Sequence, residues 1–180
     1  EFRLHNLDNA RMKRVLEACA RLFGWTPRPG PSKRGFGVAC GEDAGTYVAS
    51  MAEVKVDAAT GAIRVLRVAC AQDMGVVVNP EGARQQMEGC IMMGLGYTLA
   101  EEVRFRNGEV IEKNFGGYSL PKFSWMPKIQ TLILDSPDLP AQGGGEPAIV
   151  TMGAVIANAV FDATGARIPQ LPMTPARVKA

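Results

Sequence analysis

The chain has one histidine, His5, no cysteine pair at C-x-x-C spacing, and no apolar run near the roughly 20 residues that a membrane-spanning helix needs. Each absence removes a class of function. A catalytic triad needs a histidine base, and His5 lies near the first residue with no serine or cysteine signature beside it, so it reads as a surface residue. Cys19, Cys40, Cys70 and Cys90 are far apart in apolar segments, which argues for small core residues rather than zinc, iron–sulfur or disulfide chemistry, and no metal ligand set is expected in this chain. Phosphate loops are missing too. No G-x-x-x-x-G-K-[ST] occurs, and neither Gly35-Phe36-Gly37 nor Gly94-Leu95-Gly96 completes G-x-G-x-x-G. Neither sign of charge dominates: 20 basic residues against 18 acidic ones leave a net charge of +2, which gives nucleic acid no support as a partner. There is no N-terminal signal pattern. The start at Glu1 rather than methionine leads us to expect a processed product or an excised piece of a longer chain.

What is present is enough apolar residue, 47% of 180, for one substantial core or two small domains. Asn6 or Asp8 can cap a helix that runs to about Phe23, with Met12, Val15, Leu16, Cys19, Leu22 and Phe23 on one face and Gly24 ending it. Trp25 to Arg34, with three prolines, reads as an irregular connector. Strands are expected at Phe36 to Cys40, Thr46 to Asp57, Ala62 to Gln72 and Lys128 to Leu134. Ala58 to Gly61 suits a hairpin, a phase shift after Met51 predicts a bulge near Ala52, and Asn107-Gly108 predicts a type I′ turn. The proline-bearing tail from Ile168 should be extended.

Two segments carry chemistry. In the first, Asn79 can cap a helix with Pro80 as its first residue, and Gly82, Gly89 and Gly96 recur along it every seventh position. Each interior glycine costs about 0.5–1 kcal/mol relative to alanine, so a close neighbour is expected against this stripe, on which Gln86 also falls. The amide could read a ligand edge in the groove, or it could bond the backbone of a packed strand. In the second, Gln142-Gly143-Gly144-Gly145-Glu146-Pro147 places one carboxylate between a glycine run, free to adopt positive φ, and an apolar helix read over Ala148 to Phe161. Glu146 is either a charge stabilised by the helix dipole, worth about 0.3–1 kcal/mol, or a group presented to a ligand. Lys113 and Lys128 offer no readable environment for covalent chemistry.

Gln86-Met87-Glu88-Gly89 and Gly143-Gly144-Gly145-Glu146-Pro147, preceded by Val77-Val78-Asn79-Pro80 and followed by the run Ala157 to Gly165, resemble the molybdenum-binding subunit of the xanthine dehydrogenase and aldehyde oxidase family. The likeness extends over essentially the whole chain and is strongest to large (beta) subunits of the isoquinoline 1-oxidoreductase type. It implies an α+β fold, a mixed sheet with packed helices, in which residues 1–34 form a helix and proline-rich connector and residues 35–180 a C-terminal molybdopterin-binding domain. It implies a molybdopterin cofactor, as the cytosine dinucleotide, in the full enzyme but not on this chain alone. It implies hydroxylation of an aldehyde or N-heterocycle with water as the oxygen source. Glu146 then matches the general base that deprotonates the attacking oxygen, and Gln86 matches a cofactor contact, with Gly89, Gly143, Gly144 and Gly145 in the cofactor-binding set. The family motif has a valine where this chain reads Gly144 in the middle of the loop, which adds flexibility.

The resemblance further implies a bacterial protein, cytoplasmic or periplasmic. Its expected partners are the remaining domains of the molybdenum subunit, an iron–sulfur subunit and a small-molecule substrate. The rival from another class is a non-catalytic scaffold or interaction domain that has kept the fold. Because the cofactor segments upstream of such a domain are not in these residues, the isolated chain should give no substrate-dependent dye reduction. Measurable reduction by the purified chain would overturn that expectation.

Overall fold

Residues 1–26 and 34–179 are described by a computed structural model. In chain order the elements are α1 (Phe2–His5), α2 (Ala10–Phe23), β1 (Arg34–Asp43), β2 (Thr46–Val56), β3 (Ile63–Asp73), α3 (Pro80–Leu99), β4 (Phe105–Arg106), β5 (Glu109–Val110), β6 (Lys128–Ile133), α4 (Met152–Thr164) and α5 (Pro175–Lys179). β1, β2 and β3 pair antiparallel, and β6 joins β3 in parallel, giving a mixed sheet of order β1-β2-β3-β6. A parallel partner requires a crossover, and α3 lies within that crossover. The expected mixed sheet with packed helices is therefore the observed architecture.

Strand alternation assigns the faces. On β2 the even positions Val48, Ala52, Val54 and Val56 share a core with Met87, Ile91 and Leu95 of α3 and with Met152, Val155, Ile156 and Val160 of α4. The odd positions Ala49 and Met51, with Ala69 and Ala71 of β3, pack instead under Val15, Leu16, Cys19 and Phe23 of α2. Burying each Val, Ile, Leu or Met contributes about 1.5–3 kcal/mol, so both helical layers are strongly held. The expected division between residues 1–34 and 35–180 thus separates elements that share a core, since α2 covers one face of the sheet.

The bulge expected near Ala52 lies beside it, between Glu53 and Val54, but the extra residue is on the partner strand rather than on β2. Glu53 pairs with Arg67 and Val54 with Val65, so Leu66 of β3 is the extra residue and β2 alternates without a break. The apparent phase shift arose because both faces of β2 are buried, each under a different helix. Other corrections are local. Asn9, not Asn6 or Asp8, caps α2, its Oδ1 accepting from Met12 N at 3.0 Å. Gly24 ends the helix in the left-handed region, as its lack of a side chain permits. The tail is not extended throughout, because Pro175 starts α5. Asn107 and Gly108 take the positive φ values of the expected turn, at 51° and 82°. The prolines of the connector, Pro27, Pro29 and Pro31, lie outside the described residues.

α4 sits unusually close to β1. A Cβ on Gly35 would strike the carbonyl of Ala159, and one on Gly37 that of Val155, so the helix backbone rests directly on the strand. Among the described residues the outer edge of β1 has no strand partner, and side chains bond it instead: from α4, Asp162 accepts from Phe36 N at 2.9 Å and Asn158 donates to Val38 O at 3.1 Å, and Arg3 donates to Val38 O at 3.3 Å. An edge strand covered in this way offers no template for another chain. The stretch Pro147–Thr164 has a mean hydropathy of 1.4, but it is half buried in this core and divided between a 3₁₀ turn and α4.

The open end of β3 is fastened to α2 by a buried carboxylate. Asp73, with its side chain 0% exposed, accepts from Arg11 at 3.0 and 3.2 Å and from Gly75 N at 3.2 Å, with Arg14 3.9 Å away. Burial alone would raise its pKa, but the hydrogen bonds of Arg11, Gly75 and Ser136 and the Arg11 charge outweigh it and hold the carboxyl below its usual range. A depressed carboxyl contributes stability above its unfolded pKa of about 3.9 and loses it as pH falls through the folded value. Asp73→Asn is expected to lower stability by about 1–3 kcal/mol at pH 7 and by less at pH 3, measured by denaturant unfolding. An equal loss at both pH values would contradict the ion-pair account.

Candidate functional site

α3 begins as its sequence requires: Asn79 Oδ1 accepts from Gly82 N at 2.9 Å and Pro80 takes the first turn. The glycine stripe does not form the expected groove. A Cβ on Gly82 would meet only the cap Asn79 and one on Gly89 would meet nothing, whereas one on Gly96 would strike Glu101 and the ring of Pro121, so the expected close approach is made at one of the three positions. The close approach between helices is two positions before Gly96, at Gly94, where a Cβ would sit 2.5 Å from the side chain of Met152 in α4. Small size is required at that crossing and, of the three stripe positions, at the buried Gly96. Gln86, Cys90, Gly94 and Tyr97 form the line that faces the second motif, at spacings of four, four and three.

The glycine–glutamate loop is anchored at nearly every step. Gln142 N donates to Met74 O at 2.9 Å, Gly143 N to Ala44 O at 3.2 Å, and Thr46 Oγ1 to Gly143 O at 2.6 Å. None of Gly143, Gly144 and Gly145 has the positive φ expected of the run. Gly143 and Gly144 instead make room for Ala44 and for the sulfur of Met74. Gly145 differs: a Cβ there would meet only Gln86 Oε1, at 3.9 Å. The two motifs, distant in sequence, are therefore adjacent in space at Gln86 and Gly145.

Glu146 follows at the head of the 3₁₀ turn Pro147–Ile149, and α4 starts only at Met152. The helix expected from Ala148 is thus divided, with the turn set between the carboxylate and the main helix. Glu146 makes no side-chain cap hydrogen bond to the turn that follows it. Its carbonyl accepts from Ile149 N at 2.9 Å. Gln86, Gly89, Gly145 and Glu146 are all exposed, and neither the amide of Gln86 nor the carboxylate of Glu146 has a hydrogen-bond partner among the described residues. An exposed amide close to the residue before an exposed carboxylate, neither with a partner among the described residues, can bind a polar ligand and exchange a proton with it.

Two residues that bracket this edge were not foreseen. The Cys90 thiol donates to Gly145 O at 3.0 Å and reaches Glu146 O at 3.6 Å. Burial pushes this thiol up in pKa, with the charge of Glu146 adding to the effect against a hydrogen bond from the Ile149 backbone. It therefore stays protonated and able to donate. Tyr97 Oη donates to Ile149 O at 3.0 Å and accepts from Gly153 N at 3.0 Å. The only signal for either in the sequence was the spacing from Gln86. Among the described residues, no group of three or more His, Cys, Asp or Glu side chains could hold a metal ion, and all four cysteines are free thiols.

A family model described as a molybdopterin cofactor-binding domain matches residues 24–127, a stretch that includes Gln86 and Gly89 but ends before the glycine–glutamate loop. The chain is 36% identical to one of the subunits of nicotinate dehydrogenase from Pseudomonas putida, across 100% of this chain and 16% of that protein. It is 31% identical to the beta subunit of isoquinoline 1-oxidoreductase from Brevundimonas diminuta, across 98% of this chain and 23% of the relative. Among solved structures, quinoline 2-oxidoreductase from Pseudomonas putida superimposes with a TM-score of 0.69 at 31% identity, covering 74% of this chain and 18% of that one. The chain spans less than a quarter of the length of each of these relatives.

Gly89 is exposed in mid-helix with free space around it, so its cost to α3 is uncompensated within this chain. Gly89→Ala is expected to raise stability by about 0.5–1 kcal/mol in denaturant unfolding. A loss of stability would show that the position is already occupied by protein.

Proposed function

We propose, since the chain belongs to the molybdopterin cofactor-binding domain family, that the edge formed by α3 and the glycine–glutamate loop is part of the cofactor and substrate site of a molybdenum hydroxylase. The enzyme would oxidise an aldehyde or N-heterocycle with water as the oxygen source. The observation that carries this reading is the adjacency of Gln86 and Gly145 next to an unpartnered carboxylate, on an edge left exposed among the described residues. The residues present fit such a group. Gln86 offers two donors and an acceptor to its polar rim, and Gly89 and Gly145 leave the backbone open to a flat ring system.

When bound, the cofactor, proposed to be the cytosine dinucleotide form, supplies the metal and the acceptor for the substrate's electrons. This chain supplies position and proton transfer. Gln86 binds and orients the cofactor edge. Glu146 accepts the proton released as oxygen is delivered to the substrate carbon, which requires its carboxylate within hydrogen-bond reach of that proton. The rigid turn Pro147–Ile149 fixes the direction from which it does so. The cofactor is proposed to be held only when the rest of the subunit is present.

The remaining domains of that subunit are proposed to meet this chain at its exposed apolar residues. From Val103 to Met126 the segment exposes Phe105, Val110, Ile111, Phe115, Leu120 and Phe123, large apolar side chains of the kind that a partner would cover. An iron–sulfur subunit is the further proposed partner. The scaffold alternative predicts that Glu146 is dispensable. In the complete enzyme, Glu146→Gln is expected to lower kcat by about 10²–10⁴-fold with the molybdenum content unchanged. Near-normal turnover would assign Glu146 a structural role, and absence of molybdenum from the natively expressed subunit would refute the cofactor reading itself.

A further inference from the structure

Thr151 precedes α4 but does not cap it: its hydroxyl is hydrogen-bonded to Ser50 Oγ at 2.7 Å and to Ala148 O at 3.3 Å. The amide of Gly153, one of the donors that a helix start leaves without an intrahelical acceptor, is taken by the phenol of Tyr97 from another helix. The same phenol donates to Ile149 O, the last carbonyl of the 3₁₀ turn, so one hydroxyl joins the end of the turn to the start of α4. Two turns earlier on α3, Cys90 donates to the carbonyl of Gly145 on the other side of Glu146. Between them, Gly94 lets α3 lie against Met152. Glu146 is therefore held from both sides by the helix that carries Gln86.

We propose that Tyr97 and Cys90 are positioning residues for Glu146, fixing its backbone to α3 so that the carboxylate and the Gln86 amide keep one mutual geometry. This rests on the functional reading above, in which both groups face one ligand. A general base is sensitive to such placement, since a displacement near 1 Å can cost about 10²-fold in rate. Neither residue needs to touch the ligand to have this effect. Tyr97 acts through two main-chain hydrogen bonds and Cys90 through one short contact and one longer one.

The test uses the complete subunit with Tyr97→Phe, which removes only the hydroxyl, together with Cys90→Ala and the donor-retaining Cys90→Ser. In the cofactor-free subunit, hydrogen exchange across residues 145–153 should accelerate by about 2- to 10-fold in Tyr97→Phe and Cys90→Ala, the range an ordinary hydrogen bond commands. Amides of β2 and β3 should be unchanged, and Cys90→Ser should retain most of the protection. In the loaded enzyme, kcat should fall on the order of 10-fold with KM unchanged. Unchanged exchange, or faster exchange with an unaltered kcat, would overturn the proposal. Should Tyr97→Phe loosen the whole subunit, Cys90→Ala against Cys90→Ser decides by the same criteria. Glu146→Gln separates the two levels: if it retains full turnover, the functional reading fails and the positioning role with it. A normal kcat in Tyr97→Phe beside an inactive Glu146→Gln removes only the positioning role.

Discussion

The contact between α4 and β1 is the constraint from which the rest of the candidate site follows. Gly35 and Gly37 leave no side chains between strand and helix, so carbonyls of α4 rest on the strand and its height above the sheet is set by backbone contact. Interiors are close-packed and transmit such constraints without much relaxation. With α4 fixed, Met152 at its start fixes where α3 crosses, because only a glycine at position 94 admits it. The loop that enters α4 has its end point decided before any of its own residues act. The polar groups of α4 complete the arrangement by covering the β1 edge, so one helix closes the sheet and anchors the loop.

The carboxylate at the end of this chain of contacts is held by its backbone and left free at its side chain. Thr46, Ala44 and Met74 bind the loop to the ends of the strands, while Cys90 and Tyr97 bind it to α3. Such division suits a group that must keep a fixed origin and still exchange a proton. It also explains why the glycines differ in purpose: two accommodate neighbours within the fold, and Gly145 opens toward Gln86. The buried Asp73, tied to Arg11 at the same end of the sheet, keeps α2 and the β3 terminus together beneath the Met74 anchor.

Much of this was legible in the sequence where one residue type carries one physical requirement. Asn79-Pro80 fixed the start of α3, Gly24 the end of α2, and Asn107-Gly108 a turn, because caps and left-handed positions depend on local chemistry alone. The strands were readable from their alternation. What failed were inferences requiring knowledge of the opposite partner. The seven-residue recurrence of glycine suggested a groove, yet the crossing is at Gly94, whose requirement for small size comes from Met152 more than fifty residues away. The bulge was expected at the right place along the sheet but on the wrong strand, because β2 is buried on both faces and its pattern reports two helices at once. Cys90 and Tyr97 were missed because a thiol and a phenol in an apolar helix look like core until their acceptors are known. The fold brings the two motifs close together at Gln86 and Gly145, where a Cβ on the glycine would lie 3.9 Å from Gln86 Oε1.

The central claim is that Gln86 and Glu146 face one ligand from one braced edge. A structure of the complete, cofactor-loaded subunit that contains this chain tests it most directly. The account predicts the Gln86 amide within hydrogen-bond reach of the molybdopterin, at about 3 Å, with the Glu146 carboxylate directed at the metal's coordination sphere across an open substrate space. Finding either side chain turned into an interface with another domain, with the cofactor elsewhere, would contradict it.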